Sequence, residues 1–156
     1  MILRNKTVSQ MEQNSTKEAT FLLVDDDDIS IMAMKRALKK LKIVNRVRVA
    51  KDGQDALEIL NDAAEAAEGR LPPFIVTLDL NMPRMNGLEF LEAVRADPRL
   101  HRLVVFVFTT SDMPDDIQSA YSRNVAGYLV KDNPRETFAR ALDMLESYSR
   151  IVELPA

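Results

Sequence analysis

Short apolar runs alternate with longer segments of helical period along most of this chain, and this alternation constrains the fold more than any other feature. Each run is rich in β-branched and aromatic residues, and in the segments that follow, apolar residues recur every three or four positions. This order is typical of βαβ units, which build a parallel sheet covered by helices. The predicted strands are residues 21–24, 46–50, 74–80, 103–108 and 127–130. We therefore expect an α/β fold with five parallel strands and five helices.

The alternation occupies residues 20–150, a length that fits one domain able to bury a core without disulfides or a structural metal. Residues 1–19 lack the hydrophobic segment of a secretory signal, and we interpret them as a flexible N-terminal arm. Residues 151–156 form a C-terminal tail that contains Ile151, Val152 and Leu154. Exposed apolar residues can mark a contact surface, so a homodimer formed through this tail or through the fifth strand is a hypothesis.

The composition excludes several classes of function. The chain has no cysteine, so disulfides and thiolate metal sites are not available, and a bound metal would be held by oxygen atoms. Its net charge is -3, and its acidic and basic residues are intermixed along the chain, so it has no general attraction to nucleic acid. It also has no run of about 18 apolar residues that would span a membrane. We expect a cytoplasmic protein with neither a nucleic acid nor a membrane partner.

Polar side chains follow four of the predicted strands at the points where those strands end. Asp25 and Asp26 come after the first strand, Asp79 lies at the end of the third, and Thr109 and Lys131 follow the fourth and fifth. In an open parallel sheet, ligands bind outside the carboxyl ends of the strands. Folding is therefore expected to gather these residues into one pocket.

The chemistry of such a pocket follows from its residue types. Carboxylates held close together repel one another, and a hard divalent cation such as Mg²⁺ relieves that repulsion in a site made of oxygen atoms. An anionic phosphoryl group can then approach, and its transfer needs mainly positioning and charge stabilisation. Lys131 can offer a point charge and Thr109 a hydroxyl donor, while an aspartate can serve as the covalent acceptor.

At these positions the sequence resembles the response-regulator receiver family. The resemblance covers about residues 20–149 and implies a doubly wound parallel sheet of order 2-1-3-4-5, the flavodoxin-like arrangement also called CheY-like. Four motifs in the family's order carry the resemblance: Val24-Asp25-Asp26, Leu78-Asp79-Leu80-Asn81-Met82-Pro83 with Asn86-Gly87, Thr109-Thr110-Ser111 and Gly127-Tyr128-Leu129-Val130-Lys131.

The resemblance assigns a role to each acidic residue of the site. It implies that Asp79 is the phosphoacceptor and one of the residues of the Mg²⁺ site, and that Asp26 ligates the ion directly while Asp25 does so through water. Asn81 would contribute its backbone carbonyl to the same ion. Asp27 or Asp28 is expected to cap the following helix rather than to join the site.

Three further residues would form the switch of a receiver. Thr109 resembles the hydroxyl that closes on the phosphoryl group, Lys131 the family's lysine, and Tyr128 the aromatic residue whose rotamer follows the threonine. The chain departs from the family where Lys131 precedes Asp132 instead of proline, which puts the family's cis peptide at this position in doubt. This variant, the long loop 61–73 and the lack of an output module resemble small receivers associated with phytochrome kinases.

A receiver of this type implies a two-component phosphorelay. A sensor histidine kinase, in that subfamily a phytochrome, would phosphorylate Asp79, and the added charge of about -1.5 to -2 would bias a two-state element. The output would pass to a downstream protein target or a phosphotransfer protein. Such a protein is not an enzyme with a separate substrate, since it catalyses only its own phosphorylation and dephosphorylation.

Two other classes of function compete with this interpretation. A Mg²⁺-dependent phosphatase of the haloacid-dehalogenase type also uses an aspartate at a strand end, and Asp25-Asp26-Asp27 approaches its motif, but the Gly-Thr expected after the second aspartate is missing. A pseudo-receiver would be a binding module that is not phosphorylated, and the complete set of Asp, Thr and Lys argues against it. His101 is the only histidine, and we assign it no role.

Overall fold

The computed structural model describes residues 18–131 and 134–155, and for residues 134–138 it describes the backbone. Within these residues, strands and helices alternate from the first strand to the last helix. The strands are β1 (Thr20–Val24), β2 (Val47–Ala50), β3 (Phe74–Leu78), β4 (Val104–Thr109) and β5 (Gly127–Val130). The helices are α1 (Asp28–Lys40), α2 (Gly53–Ala66), α3 (Gly87–Ala96), α4 (Pro114–Ser122) and α5 (Pro134–Ile151).

The five strands form one parallel sheet with the order β2-β1-β3-β4-β5. Strand β1 pairs with β2 on one side and with β3 on the other, and β3 continues through β4 to β5. Both the fold class and the strand order expected from the sequence are confirmed. The order reverses direction between β1 and β3, so the carboxyl ends of these two strands flank the crevice where ligands bind in such sheets.

The sheet separates two apolar cores, because successive side chains along a strand point to opposite faces. On β1, Leu22 and Val24 face the core under α2, α3 and α4, whereas Phe21 and Leu23 face the core under α1 and α5. Burial of each such side chain contributes about 1.5–3 kcal/mol. Both faces of the central strands are therefore covered, which explains the continuous apolar runs in the sequence.

The observed elements differ from the predicted ones at several ends. The third strand ends at Leu78 rather than at residue 80, and the fourth begins and ends one residue later than predicted. The backbone amide of Asp79 still donates to the carbonyl of Val24 at 2.9 Å, and beyond it the chain turns away into the loop before α3. This early end leaves the side chain of Asp79 at the edge of the sheet instead of within it.

Helix α5 packs against the second core. Ala141, Leu142 and Leu145 are buried, and Tyr148 lies edge-on to Phe106 with ring centroids 5.3 Å apart. The helix continues through Ile151, so the first residue of the expected C-terminal tail is the last residue of this helix. The expected N-terminal arm lies outside the described residues except for its last two positions, and the Lys131-Asp132 peptide also lies outside them. Among the helices that the structure describes, none combines the length and apolarity needed to cross a membrane.

Candidate functional site

Three aspartates meet at the carboxyl ends of β1 and β3. Asp25 is 1% exposed, and its Oδ1 accepts a hydrogen bond from the amide of Asp27 at 2.9 Å. Asp26 is exposed, whereas the side chain of Asp79 is 12% exposed. One carboxylate oxygen from each of Asp25, Asp26 and Asp79 lies within 4.8 Å of the others. The structure thus brings together the three acidic residues that the sequence placed at strand ends.

Lys131 reaches this cluster from the end of β5. Its amide donates to the carbonyl of Thr109 at 2.8 Å, which extends the pairing of β4 with β5 by one residue and directs the side chain across the sheet edge. The ammonium lies 2.6 Å from Oδ2 of Asp25 and 3.9 Å from Oδ2 of Asp79, with the side chain 6% exposed. A buried ammonium therefore neutralises part of the charge of the acidic cluster.

Thr109, the last residue of β4, binds the aspartate of β3 directly. Its hydroxyl is fully buried and donates to Oδ1 of Asp79 at 2.8 Å. Burial raises the pKa of Asp79, and the charge of Asp25 adds to that effect, while Lys131 and the bond from Thr109 oppose it. The two oxygens of Asp79 thus have different neighbours, a hydroxyl on one side and an ammonium on the other.

The donor set fits a hard divalent cation. The cluster offers three carboxylates against one ammonium, which leaves uncompensated negative charge between β1 and β3. All of its donors are oxygen atoms, the ligands that Mg²⁺ and Ca²⁺ prefer. The amide of Asn81 donates to Oδ1 of Asp79 at 3.4 Å, so Asn81 lies beside the same carboxylate. The residues present therefore suit the Mg²⁺ site expected from the sequence.

Tyr128 lies next to this site but does not contact the carboxylates through its hydroxyl. It donates instead to the backbone carbonyl of Ser111 at 2.8 Å, in the loop that follows Thr109. Ser111 is fixed in turn by a hydrogen bond from its hydroxyl to Oδ2 of Asp116 at 2.5 Å. Burial raises the pKa of Tyr128, so the phenol stays protonated and keeps this donor. Tyr128 is thus coupled to the loop between β4 and α4.

The other two residues of the acidic run, Asp27 and Asp28, lie at the start of α1 and not in the cluster. Asp27 is the N-cap, and its carboxylate accepts from the amide of Ile29 at 3.0 Å and from the hydroxyl of Ser30 at 3.0 Å. Asp28 lies in the first turn, where a negative charge is favourable near the positive end of the helix. His101 is exposed, in the segment before β4.

Two residues near the site, Asp52 and Arg84, were not identified from the sequence, and the close packing of Gly87 was not expected either. Asp52 is buried and accepts a hydrogen bond from Nε of Arg84 at 2.7 Å, which joins two loops. Gly87 lies so close to the loop after β3 that a Cβ atom there would be 2.5 Å from the carbonyl oxygen of Asp79. Asn86-Gly87 belongs to one of the motifs that carry the resemblance, but the contacts between the two loops depend on the folded arrangement.

Comparison with known proteins agrees with this geometry. A family model described as the response regulator receiver domain matches residues 21–143. Response regulator Rcp1 of Synechocystis sp. is 31% identical over 147 residues, which cover 94% of this chain and 99% of Rcp1. The crystal structure of the Mn²⁺-bound form of Rcp1 superposes with a TM-score of 0.74 at 30% identity, covering 88% of this chain and 99% of that one.

A second solved structure has a similar fold. The phosphorylated cyanobacterial phytochrome response regulator RcpA superposes with a TM-score of 0.76 at 30% identity, over 89% of this chain and 99% of that one. The family match spans most of the chain, and the site described above lies within it. This protein therefore belongs to the response regulator receiver family.

Proposed function

We propose that Asp79 accepts a phosphoryl group from a histidine of a sensor kinase, with Mg²⁺ held by Asp25, Asp26, Asp79 and the backbone carbonyl of Asn81. In this step the bond between phosphorus and the histidine nitrogen breaks as a bond to a carboxylate oxygen of Asp79 forms. The histidine nitrogen then takes up a proton, and Asp79 becomes an acyl phosphate. The observation that supports the proposal most directly is the contact of Thr109 and Lys131 with the two different oxygens of Asp79.

Each residue of the site has a distinct task in this proposal. When bound, Mg²⁺ would neutralise the carboxylates and the phosphoryl oxygens. Lys131 is already held within the site by Asp25, so its ammonium can pair with a phosphoryl oxygen without a large movement. Thr109 would transfer its hydrogen bond from Asp79 to another phosphoryl oxygen. Positioning of this kind accounts for most of the catalysis in phosphoryl transfer.

The switch follows from the same contacts. Movement of Thr109 towards a phosphoryl oxygen would displace the loop after β4, whose Ser111 carbonyl accepts the hydrogen bond from Tyr128. We propose that Tyr128 and this loop form the two-state element that a downstream protein recognises. Faster or slower amide hydrogen exchange in residues 110–113 after phosphorylation is the expected signature, and unchanged exchange there would count against the switch.

The similarity to the phytochrome response regulator RcpA supports a kinase of the phytochrome type as the phosphodonor. The Mn²⁺-bound form of Rcp1 supports a divalent cation at the acidic cluster. The phosphatase alternative would need Asp25 as its nucleophile. That carboxylate is buried and paired with Lys131, which makes it a poor nucleophile.

Labelling with acetyl phosphate tests the proposed function. The wild-type protein should acquire a base-labile phosphoryl group in the presence of Mg²⁺, and Asp79→Asn should acquire none. Asp26→Asn should need a higher Mg²⁺ concentration, whereas Asp28→Asn, in the same acidic run but outside the cluster, serves as the matched control. Labelling of Asp79→Asn at the wild-type rate, or labelling that is unaffected by chelating Mg²⁺, would refute the proposal.

A further inference from the structure

An ion pair between a buried carboxylate and an exposed guanidinium joins the loop after β2 to the loop after β3. The side chain of Asp52 is 3% exposed, and its Oδ2 lies 2.7 Å from Nε and 2.5 Å from Nη2 of Arg84. The same Nη2 also lies 3.3 Å from Oδ1 of Asp55 on α2. A guanidinium that presents two nitrogens to a carboxylate fixes direction as well as distance. We call the pair formed by Asp52 and Arg84 the clasp.

Asp52 can remain charged despite its burial. It is the N-cap of α2, and its Oδ1 accepts from the amide of Asp55 at 2.9 Å, which leaves Oδ2 for Arg84. Burial on its own would raise the pKa of Asp52, but the hydrogen bonds from the Asp55 amide and from Arg84 outweigh it and lower the pKa. The charged form is thus the one that the clasp stabilises.

The backbones of the two loops also touch at the clasp. The amide of Gly53 donates to the carbonyl of Met85 at 3.0 Å. A Cβ atom at Gly53 would lie 2.8 Å from Cγ of Met85 and 3.0 Å from that carbonyl oxygen. Such an approach requires glycine, so the two loops are held together by backbone as well as by side chains.

Arg84 adopts a backbone conformation that is unusual for its residue type. Its φ angle is 63°, in the left-handed region where glycine is favoured. An arginine at this position is strained, and the strain persists because the surrounding contacts hold it. Glycine would fit this backbone without strain but would lack the ion pairs that the Arg84 side chain forms with Asp52 and Asp55.

The clasp holds the middle of the loop that begins with the phosphoacceptor. At one end the amide of Asp79 is bonded to β1, and at the other the amide of Gly87 donates to the carbonyl of Leu80 at 3.0 Å. Asn81 lies between Asp79 and Arg84 and has an exposed side chain. The path of the backbone through Asn81 is therefore set on one side by the sheet and on the other by the clasp.

We propose that Asp52 and Arg84 are positioning residues, and that their clasp holds the loop from Asp79 to Met85 in the shape that binds the divalent cation. This inference rests on the proposed function, because it assumes that the cation binds beside Asp79 and Asn81. Residues that orient metal ligands from outside the coordination shell typically change metal affinity by about 10- to 100-fold. The clasp extends the site from the strand ends to the start of α2.

Three variants separate the clasp from a merely structural role. Arg84→Gly removes the side chain but suits the left-handed backbone, so the fold should be retained. Asp52→Asn keeps an N-cap acceptor for α2 and removes the charge. Arg84→Lys keeps a charge but loses the second nitrogen. Arg99→Ala breaks the Arg99–Asp97 ion pair away from the site and is the matched control.

Mg²⁺ binding to the full chain is measured by titration calorimetry, together with hydrogen exchange of residues 79–87 in the metal-free protein. We expect affinity for Mg²⁺ to fall about tenfold in Arg84→Gly and Asp52→Asn, less in Arg84→Lys, and not at all in Arg99→Ala. Exchange in residues 79–87 should be faster in the first two variants. Urea unfolding of each variant verifies that the protein is folded under these conditions.

The outcomes distinguish this proposal from the proposed function. If the wild type binds Mg²⁺ and is labelled by acetyl phosphate while Arg84→Gly and Asp52→Asn bind Mg²⁺ equally well, the clasp proposal is overturned and the proposed function stands. A wild-type protein that neither binds Mg²⁺ nor becomes labelled would overturn both. The clasp proposal would be supported if the affinity for Mg²⁺ is highest in the wild type, lower in Arg84→Lys and lowest in Arg84→Gly.

Discussion

The ammonium of Lys131 lies 2.6 Å from Oδ2 of Asp25, although the two residues are 106 positions apart. Both side chains are almost completely buried, so the pair is removed from solvent. Two charges in such an environment interact strongly but also lose their hydration, and the loss of one partner is more harmful than the loss of both. The Lys131–Asp25 pair therefore joins β5 to β1, and removal of either charge should destabilise the fold.

Lys131→Met tests this pair. The substitution leaves Asp25 as a buried carboxylate without its cation and next to Asp79, which should destabilise the protein by about 3–5 kcal/mol. Mg²⁺ should recover more stability in this variant than in the wild type, because a divalent cation would replace the missing positive charge. Urea unfolding with and without Mg²⁺ measures both effects, with Lys35→Met on the exposed face of α1 as the control. If Mg²⁺ raises the free energy of unfolding of Lys131→Met and of the wild type by the same amount, this prediction is contradicted.

Thr109→Ala removes the hydroxyl that donates to Asp79. Hydrogen bonds to charged groups contribute about 1.5–3 kcal/mol, which corresponds to a rate about 10- to 100-fold lower if the bond is transferred to the phosphoryl group in the transition state. We expect the rate of labelling by acetyl phosphate to fall within this range, and Thr109→Ser to recover most of it. Thr110→Ala, one residue further and exposed, should be labelled at the wild-type rate. A rate in Thr109→Ala equal to that of Thr110→Ala would rule out this role.

Gly87→Ala tests the close packing of α3 against the loop that begins with Asp79. The added Cβ would lie 2.5 Å from the carbonyl oxygen of Asp79 and 2.8 Å from Cα of Leu80, so the backbone must shift. We expect destabilisation by about 1–3 kcal/mol together with weaker Mg²⁺ binding.

Gly69→Ala provides the contrast to Gly87→Ala. Gly69 has a φ angle of 86° and no atom within 4 Å of an added Cβ, so its substitution should cost about 1–2 kcal/mol through backbone strain alone. Mg²⁺ affinity should remain unchanged in this variant. Titration calorimetry compares the two, and an equal affinity for Mg²⁺ in both would show that packing at Gly87 does not shape the site.

The residues that meet at the sheet edge were predictable because the parallel sheet converts chain position into spatial position. Asp25, Asp79, Thr109 and Lys131 each follow an apolar run, and an open sheet places all such positions on one side. The helix cap was less certain, since Asp27 and Asp28 are chemically identical and only the observed turn selects Asp27. Sequence periodicity therefore located the site more accurately than it located the ends of individual elements.

The clasp was not predictable for a physical reason. Asp52 and Arg84 belong to two loops, and loop residues show no periodicity that would indicate their partners. The left-handed conformation of Arg84 also contradicts its residue type, so local propensity argues against the observed backbone. Tyr128 illustrates a milder case, because the resemblance implied a coupling of its rotamer to Thr109 but not the hydrogen bond to the Ser111 carbonyl.

The charge of Asp52 predicts how the contribution of the clasp depends on pH. Burial acts to raise the pKa of Asp52, but its hydrogen bonds lower the pKa below the value of about 3.9 expected in the unfolded chain. The folded protein then binds this proton more weakly than the unfolded one. The associated stability is present above pH of about 3.9 and is lost as the pH falls through the folded pKa.

Asp52→Asn removes this titration. The wild type should have the higher free energy of unfolding at pH 7, and the difference between the two proteins should shrink as the pH falls below about 3.9. Arg84→Gly should show a difference that shrinks over the same range, because it removes the partner that favours the charged carboxylate. In the Arg84→Gly background, Asp52→Asn should therefore have a smaller effect at pH 7 than in the wild type. Urea unfolding at pH 7 and at pH 3 measures each difference, and one that is independent of pH would mean that Asp52 does not stabilise the fold through its charge.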